Sequence, residues 1–307
     1  MGIAELSLVL FGVSVLAGVL GSLLGLGGGF VIVPVLTLVF HLDIRLAIGT
    51  SIVAVAATSS AGAARNVSES ITNLRVATFL ALATTIGAVT GALLSGIFNT
   101  RLLFGLFGLV LGVSGLQMLR NAPGRHGSVG GLAKTAAPPD NAPVFAMAKV
   151  DSPGRAPTAG KAHLADKLAL HSAYYDEAEG VEIPYVVAHT GLGMGLMYLA
   201  GTVSGLLGIG SGVLKVPAMD LAMHIPMKVS TATSNLLIGL TAAASAVVYF
   251  ARGDIDPLIA GPVAVGVLLG ATQGSKLLAG IRADRLRTLF VTALVVVAAQ
   301  MLWKAIS

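Results

Sequence analysis

Gly25-Leu-Gly-Gly-Gly-Phe-Val-Ile-Val-Pro34 returns 183 residues later as Gly208-Ile-Gly-Ser-Gly-Val-Leu-Lys-Val-Pro217. The same offset, with no gap, aligns Thr50-Ser51 with Thr233-Ser234, Thr58 with Thr241, Gly87-Ala88 with Gly270-Ala271, Gly91 with Gly274 and Leu106-Phe107 with Leu289-Phe290. Two unrelated apolar segments would not hold glycines, a proline and a Thr-Ser pair in register over that distance. The chain is therefore read as an internal duplication.

The duplicated sequence is greasy. Of 307 residues 55% are hydrophobic and 11% charged, where a soluble domain carries about 25% charged residues. The implied partner is the lipid bilayer. The formal charge of +5 is too sparse and scattered for a nucleic-acid surface, and the absence of cysteine excludes disulfides, thiolate metal sites and cysteine nucleophiles. Charge-free runs, each read as a helical segment, extend over 6–24, 29–40, 46–64, 76–98 and 102–119, and after a polar stretch apolar runs, with Lys215 their one charge, extend over 183–207, 213–219, 229–251, 257–275 and 288–303.

The expected fold is an all-α polytopic membrane protein with an N-terminal membrane repeat (1–119), a polar linker (120–182) and a C-terminal membrane repeat (183–307). The linker carries seven basic and seven acidic residues, so the net positive charge belongs to the repeats. Lys161 to Ala173 is expected to form a short amphipathic helix. Five runs per half is an odd number, so the second repeat should lie inverted in the membrane relative to the first, an arrangement typical of transporters. Basic residues favour one side, eight (among them Arg65, Arg75, Arg120, Lys228 and Arg285) against Arg45, Arg101, Arg252 and Lys304. That bias places the linker in the cytoplasm and both termini outside. Eight or nine crossings, with one run lying within the membrane, fit the runs as well.

The glycine-rich motifs carry the chemistry. Residues 29–40 would span only about 18 Å as a helix, too short for roughly 30 Å of hydrocarbon. Each glycine stretch is thus expected to break its helix near the membrane midplane, shielded by protein. A new helix start follows each break, with free N–H groups and partial positive charge suited to a small anion.

The pattern Gly-x-Gly-Gly-Gly-x-x-x-Val-Pro followed by Thr-Ser, doubled around a polar linker, resembles the sulfite exporter TauE/SafE family of membrane transporters. Gly205-Leu-Leu-Gly-Ile-Gly-Ser-Gly-Val-Leu-Lys-Val-Pro217, with Thr231-Ala-Thr-Ser-Asn235 and Thr241-Ala-Ala-Ala-Ser245, is similar to a widespread prokaryotic branch. The resemblance implies movement of sulfite, organosulfonates or related small anions across the prokaryotic cytoplasmic (inner) membrane. It also implies binding at Gly27, Gly28 and Gly29 and at Gly210, Ser211 and Gly212. Ser211 departs from the symmetry, since Gly28 stands at its equivalent position.

Around these glycines, Thr50, Ser51, Thr233, Ser234 and Asn235 begin the helix after each short one, at matching heights. They could supply donors to an oxyanion or simply pack helices. Lys215, where the first repeat has Ile32, is a candidate counter-charge, because an intramembrane lysine is costly unless paired. Its bland readings are snorkelling or an ion pair with Asp220. Lys276, at the basic end of its helix, reads as snorkelling. Gln273 faces the glycine stripe of its helix only partly.

No cofactor or metal is expected, since the six histidines lack ligand spacing; His189 is read as helical. A nucleotide loop is excluded by the missing strand and P-loop lysine. An intramembrane hydrolase finds no catalytic constellation. What remains is a secondary transporter using alternating access, with a proton or sodium as candidate coupling ion, or alternatively a small-anion channel sharing the same site.

Overall fold

The computed structural model describes residues 3–23, 29–68, 71–120, 168, 170, 172–176, 181–210, 212–277 and 283–306. Gly27, Gly28, Ser211, most of the first glycine break and the first two thirds of the linker lie outside them.

The first repeat is built from α1 (Ile3–Leu23), α2 (Gly29–Pro34), α3 (Ile44–Ser68), α4 (Leu74–Ile97) and α5 (Thr100–Arg120). The second consists of α6 (Thr190–Leu207), α7 (Gly212–Pro217), α8 (Met227–Ala251), α9 (Pro257–Leu277) and α10 (Ala283–Ile306). The starts of α2, α3, α4 and α5 recur 183 residues later in α7, α8, α9 and α10. So does fine detail. Pro34 and Pro217 have no N–H to give the preceding turn, and the helix past each widens into a π turn, Val35–Val39 and Ala218–Ala222. Each π turn ends in a left-handed histidine, His41 (φ 53°) or His224 (φ 57°). The turn is closed by Leu42 N donating to Leu36 O in one repeat and Ile225 N to Met219 O in the other.

Helix packing repeats as well. α1 lies on α9 as α6 lies on α4, α3 on α9 as α8 on α4, and α3 pairs with α8 and α5 with α10. Glycine makes the closest of these approaches. A Cβ on Gly18 would stand 2.3 Å from Val267 O, and one on Gly201, its equivalent, 2.2 Å from Thr84 O. Gly87 and Gly270 repeat the relation against Tyr198 O and Val15 O, at 2.2 and 2.1 Å. Backbone touches backbone at these points, which is how membrane helices gain dispersion contacts when burial from water is not available.

On length and composition four helical stretches can cross a membrane among the described residues: Ile44–Ala64, Leu74–Ile97, Thr190–Leu207 and Met227–Ala251. Shorter apolar helices accompany them. Their outer faces carry exposed Leu82, Ile86, Leu93, Val247, Phe250 and Val265, a surface suited to lipid rather than water.

Two expectations need correction. The fold is mainly helical, but the end of the linker forms an antiparallel β-hairpin, β1 (Ser172–Asp176) and β2 (Val181–Tyr185), with Ser172 opposite Tyr185. Strand β1 occupies the end of the stretch expected to be an amphipathic helix, whose residues before Leu168 lie outside the described ones. The apolar run from Ile183 is partly strand, because Pro184 and β-branched Val181 and Ile183 favour extended backbone. His189 is not helical either; it stands before α6 at φ 45°. Leu170, Tyr185 and Val187 are buried against Val76 and Leu80 of α4 and against Met219, Met223 and Val229.

Replacing Gly201 by alanine should destabilise the protein by roughly 1–3 kcal/mol, because the methyl group has only backbone to displace. Gly195→Ala on the same helix, where the new Cβ meets nothing within 4 Å, should be neutral or slightly stabilising. Thermal unfolding in detergent micelles reads the contrast.

Candidate functional site

The second glycine break meets the start of α2 in the interior. Gly208 and Gly210 are non-helical, with φ of 69° and 76°, a backbone that glycine adopts without strain. They interrupt the chain between α6 and α7. Gly29, at the first residue of α2, lies opposite Ser51 and Val55, about midway along α3. A Cβ there would fall 2.7 Å from Gly208 O, so the second repeat's break presses directly on the first repeat's short helix.

Ser51 ties them together. Its Oγ lies 2.8 Å from Gly208 O and 3.1 Å from Gly29 O, and one hydroxyl proton is shared between the two carbonyls. The side chain is fully buried. A carbonyl released from helical bonding and shut away from water costs about 1–3 kcal/mol unless a donor reaches it, and Ser51 is that donor. Its hydroxyl is therefore engaged with protein.

Ser234, the equivalent serine on α8, is in a different state. It is 2% exposed, and its Oγ has no hydrogen-bond partner among the described residues. It faces the second break, 4.0 Å from where a Cβ on Gly212 would lie. Thr50 Oγ1, also fully buried, is unpartnered too. Thr233 Oγ1 by contrast accepts from Asn73 N at 3.2 Å and so turns toward the start of α4. Asn235 is half-buried on the α8 face that meets Gly62 of α3.

Lys215 has no solvent exposure. Its Nζ donates to Thr241 Oγ1 at 2.9 Å and reaches Leu237 O at 3.4 Å, both on α8. No ion pair joins it to Asp220, and it does not snorkel. The ammonium therefore lies against the Leu237–Thr241 turn of α8, with neutral acceptors as its partners among the described residues. Both bland readings of this lysine fail on that geometry.

Of the sequence candidates, the structure thus brings Gly29 and Ser51 together against Gly208, and Gly212 to Ser234, while Gly210 packs on Val55 and Ile238 and Lys215 bonds farther along α8. Thr50 and Thr233 lie nearby but point elsewhere. Gln273 is exposed. Sequence reasoning missed Asn73, which caps α4 through Oδ1 accepting from Val76 N at 3.0 Å. Its Nδ2 also donates to Tyr185 Oη at 2.7 Å and to Leu170 O at 3.1 Å. An asparagine just before an apolar helical run is a legible N-cap signal. Its tie to the linker is not legible, since Tyr185 lies 112 residues away. Burial pushes the Tyr185 phenol above the usual tyrosine range, against smaller opposing effects of Asn73 and Ser172, so it stays neutral at physiological pH.

Repeated apolar helices, buried glycine breaks and an interior lysine define the class: a multi-pass membrane transporter. The model of the sulfite exporter TauE/SafE family matches residues 10–301, and the chain belongs to that family. It is 25% identical to the probable membrane transporter protein YunE of Bacillus subtilis (strain 168), over 97% of this chain and 98% of that one. A probable membrane transporter protein of Xylella fastidiosa (strain 9a5c) is 26% identical, with 97% and 95% covered. The probable membrane transporter protein MJ0441 of Methanocaldococcus jannaschii is 23% identical, with 77% and 70% covered. No solved structure matches the chain significantly.

The two serines should behave differently on substitution. Ser51→Ala takes this donor from the buried Gly208 carbonyl and should destabilise the protein by about 1–3 kcal/mol. Ser234→Ala removes a hydroxyl with no partner among the described residues and should leave stability within about 0.5 kcal/mol of the parent. Thermal unfolding of both variants in the same detergent is the measurement.

Proposed function

We propose that the protein is a secondary transporter that moves a small anion across the prokaryotic cytoplasmic membrane by alternating access. The substrate class is sulfite, an organosulfonate or a related sulfur-containing or organic anion. In this reading the two repeats lie inverted about an axis in the membrane plane. The linker faces the cytoplasm and both termini face outward. The anion sits between the glycine breaks, held by backbone N–H groups of Gly27 to Gly29 and Gly210 to Gly212. The hydroxyl of Ser234 and the ammonium of Lys215 complete the set, with Thr50, Ser211 and Asn235 close by.

One observation carries the reading. A buried hydroxyl without a partner among the described residues faces the first residue of α7, and a buried ammonium on the last turn of the same short helix is bonded, among those residues, to neutral acceptors. Either alone would be costly. An anion placed between them would satisfy both, since a hydrogen bond to a charged group contributes about 1.5–3 kcal/mol where a neutral one contributes about 1. Ser51 plays the other part: by engaging the break's carbonyl oxygens it keeps them turned away from an anion they would repel.

A channel using the same donors would need a continuous pore. Val55 and Ile238 instead close over Gly210, within 3.1 and 3.2 Å of where its Cβ would stand, which supports a carrier. A proton or sodium remains the candidate coupling ion.

Counterflow in proteoliposomes with sulfite, sulfate, thiosulfate, sulfoacetate and a carboxylate tests the proposal. Saturable exchange of at least one sulfur oxyanion is expected, and flux that never saturates would indicate the channel. Lys215→Met should raise the half-saturating anion concentration about tenfold or more, corresponding to a lost charge-assisted hydrogen bond. Lys276→Met should change it less than twofold; equal effects would remove Lys215 from the site.

A further inference from the structure

Among the described residues, Asn73 is the side chain that hydrogen-bonds the folded end of the linker. Asn73 stands between α3 and α4, is 8% exposed, and uses every polar group it has. Its Oδ1 caps α4, its backbone N–H bonds Thr233 Oγ1 on α8, and its Nδ2 bonds Leu170 O and Tyr185 Oη of the folded linker end. The start of α4 is thereby fixed to α8 and to the linker at once.

The opposite end of α4 is held in a different way. Arg252, just past the end of α8, donates through Nη1 to Ala92 O and through Nη2 to Ser95 Oγ at 3.1 Å, and it pairs with Asp254. Its guanidinium also lies 4.7 Å from the Tyr249 ring centre. Between the two ends, Ser245 Oγ donates to Ala88 O at 3.3 Å. So α4 is pinned to α8 at three heights, and the linker takes part at one of them.

Among the described residues, the second repeat shows no such fastening at the matching place. Asp256 is the residue equivalent to Asn73, and the loop leading to it packs on α3, with Asp254 O 2.2 Å from where a Cβ on Gly49 would lie. Asp256 caps its own helix by accepting from Leu258 N at 2.9 Å. Thr50, equivalent to Thr233, is left with an unpartnered hydroxyl. Of two places related by the repeat, the one covered by the linker hairpin is bonded across and the other is not.

We propose that Asn73 is a positioning residue: it forms a latch through which the folded end of the linker holds α4 against α8 and keeps the path to the anion site shut on the linker side. The inference rests on the alternating-access reading above. Releasing the latch frees the linker end of α4, while Arg252 continues to hold the far end, so access opens from one side only. Leu170, Tyr185 and Val187 cover Val229 and Met223 beneath the same contact and leave with it.

The cysteine-free chain makes the test direct. Ser234→Cys places a single thiol at the site, and its reaction with a membrane-impermeant methanethiosulfonate cation is followed separately in vesicles of each orientation. Asn73→Ser retains a capping oxygen for α4 but cannot reach Leu170 or Tyr185. It should speed labelling from the linker side about tenfold or more and leave labelling from the other side unchanged. Tyr185→Phe, which removes one hydroxyl and no packing, should give a smaller increase on the same side, and it answers the question if Asn73→Ser fails to fold. No change in either variant, or an equal increase from both sides, would overturn the latch. Labelling requires no substrate, so an anion panel without exchange would defeat the transport reading while the latch is still measured.

Discussion

A glycine break inside a bilayer leaves carbonyl and N–H groups where no water can reach them, and the structure depends on how those groups are satisfied. Ser51 answers for two carbonyls with one hydroxyl, one from its own repeat and one from the other. That bond fixes where the breaks cross and how deeply Gly29 sits against α3. Helix pairs packed backbone to backbone through Gly18, Gly87, Gly201 and Gly270 hold the frame in which this crossing is possible.

Much of this was legible. The fixed offset, the short helices after the breaks, the proline at the end of each and the buried lysine all follow from residues whose roles are local: glycine for positive φ or close approach, proline for a missing donor, lysine for charge. The turn after each proline repeats so faithfully that His41 and His224 share a left-handed backbone.

What could not be read was long-range. Ser51 and Ser234 stand in nearly the same local sequence, Thr-Ser two turns into a helix, yet among the described residues one is bonded and the other is not. The β-hairpin was hidden by the charges and tyrosines of the linker, which lack the alternation of a half-buried strand. Asn73 had a readable cap but an unreadable partner. His189 sits in an apolar run that continues unbroken into α6, and only its left-handed conformation separates it from the helix.

The repeat also has an energetic consequence. In a carrier whose halves exchange roles, perfect internal symmetry would make the two access states equal in free energy and equally populated. Each departure from symmetry then acts as a weight on that balance. A single net hydrogen bond of about 1 kcal/mol shifts a two-state ratio roughly fivefold. Lysine for Ile32, serine for Gly28 and asparagine opposite Asp256 are three such departures. On the alternating-access proposal, the resting population would be set by a handful of unmatched side chains on an otherwise matched scaffold, and exchanging them between the halves would reset it without altering the fold.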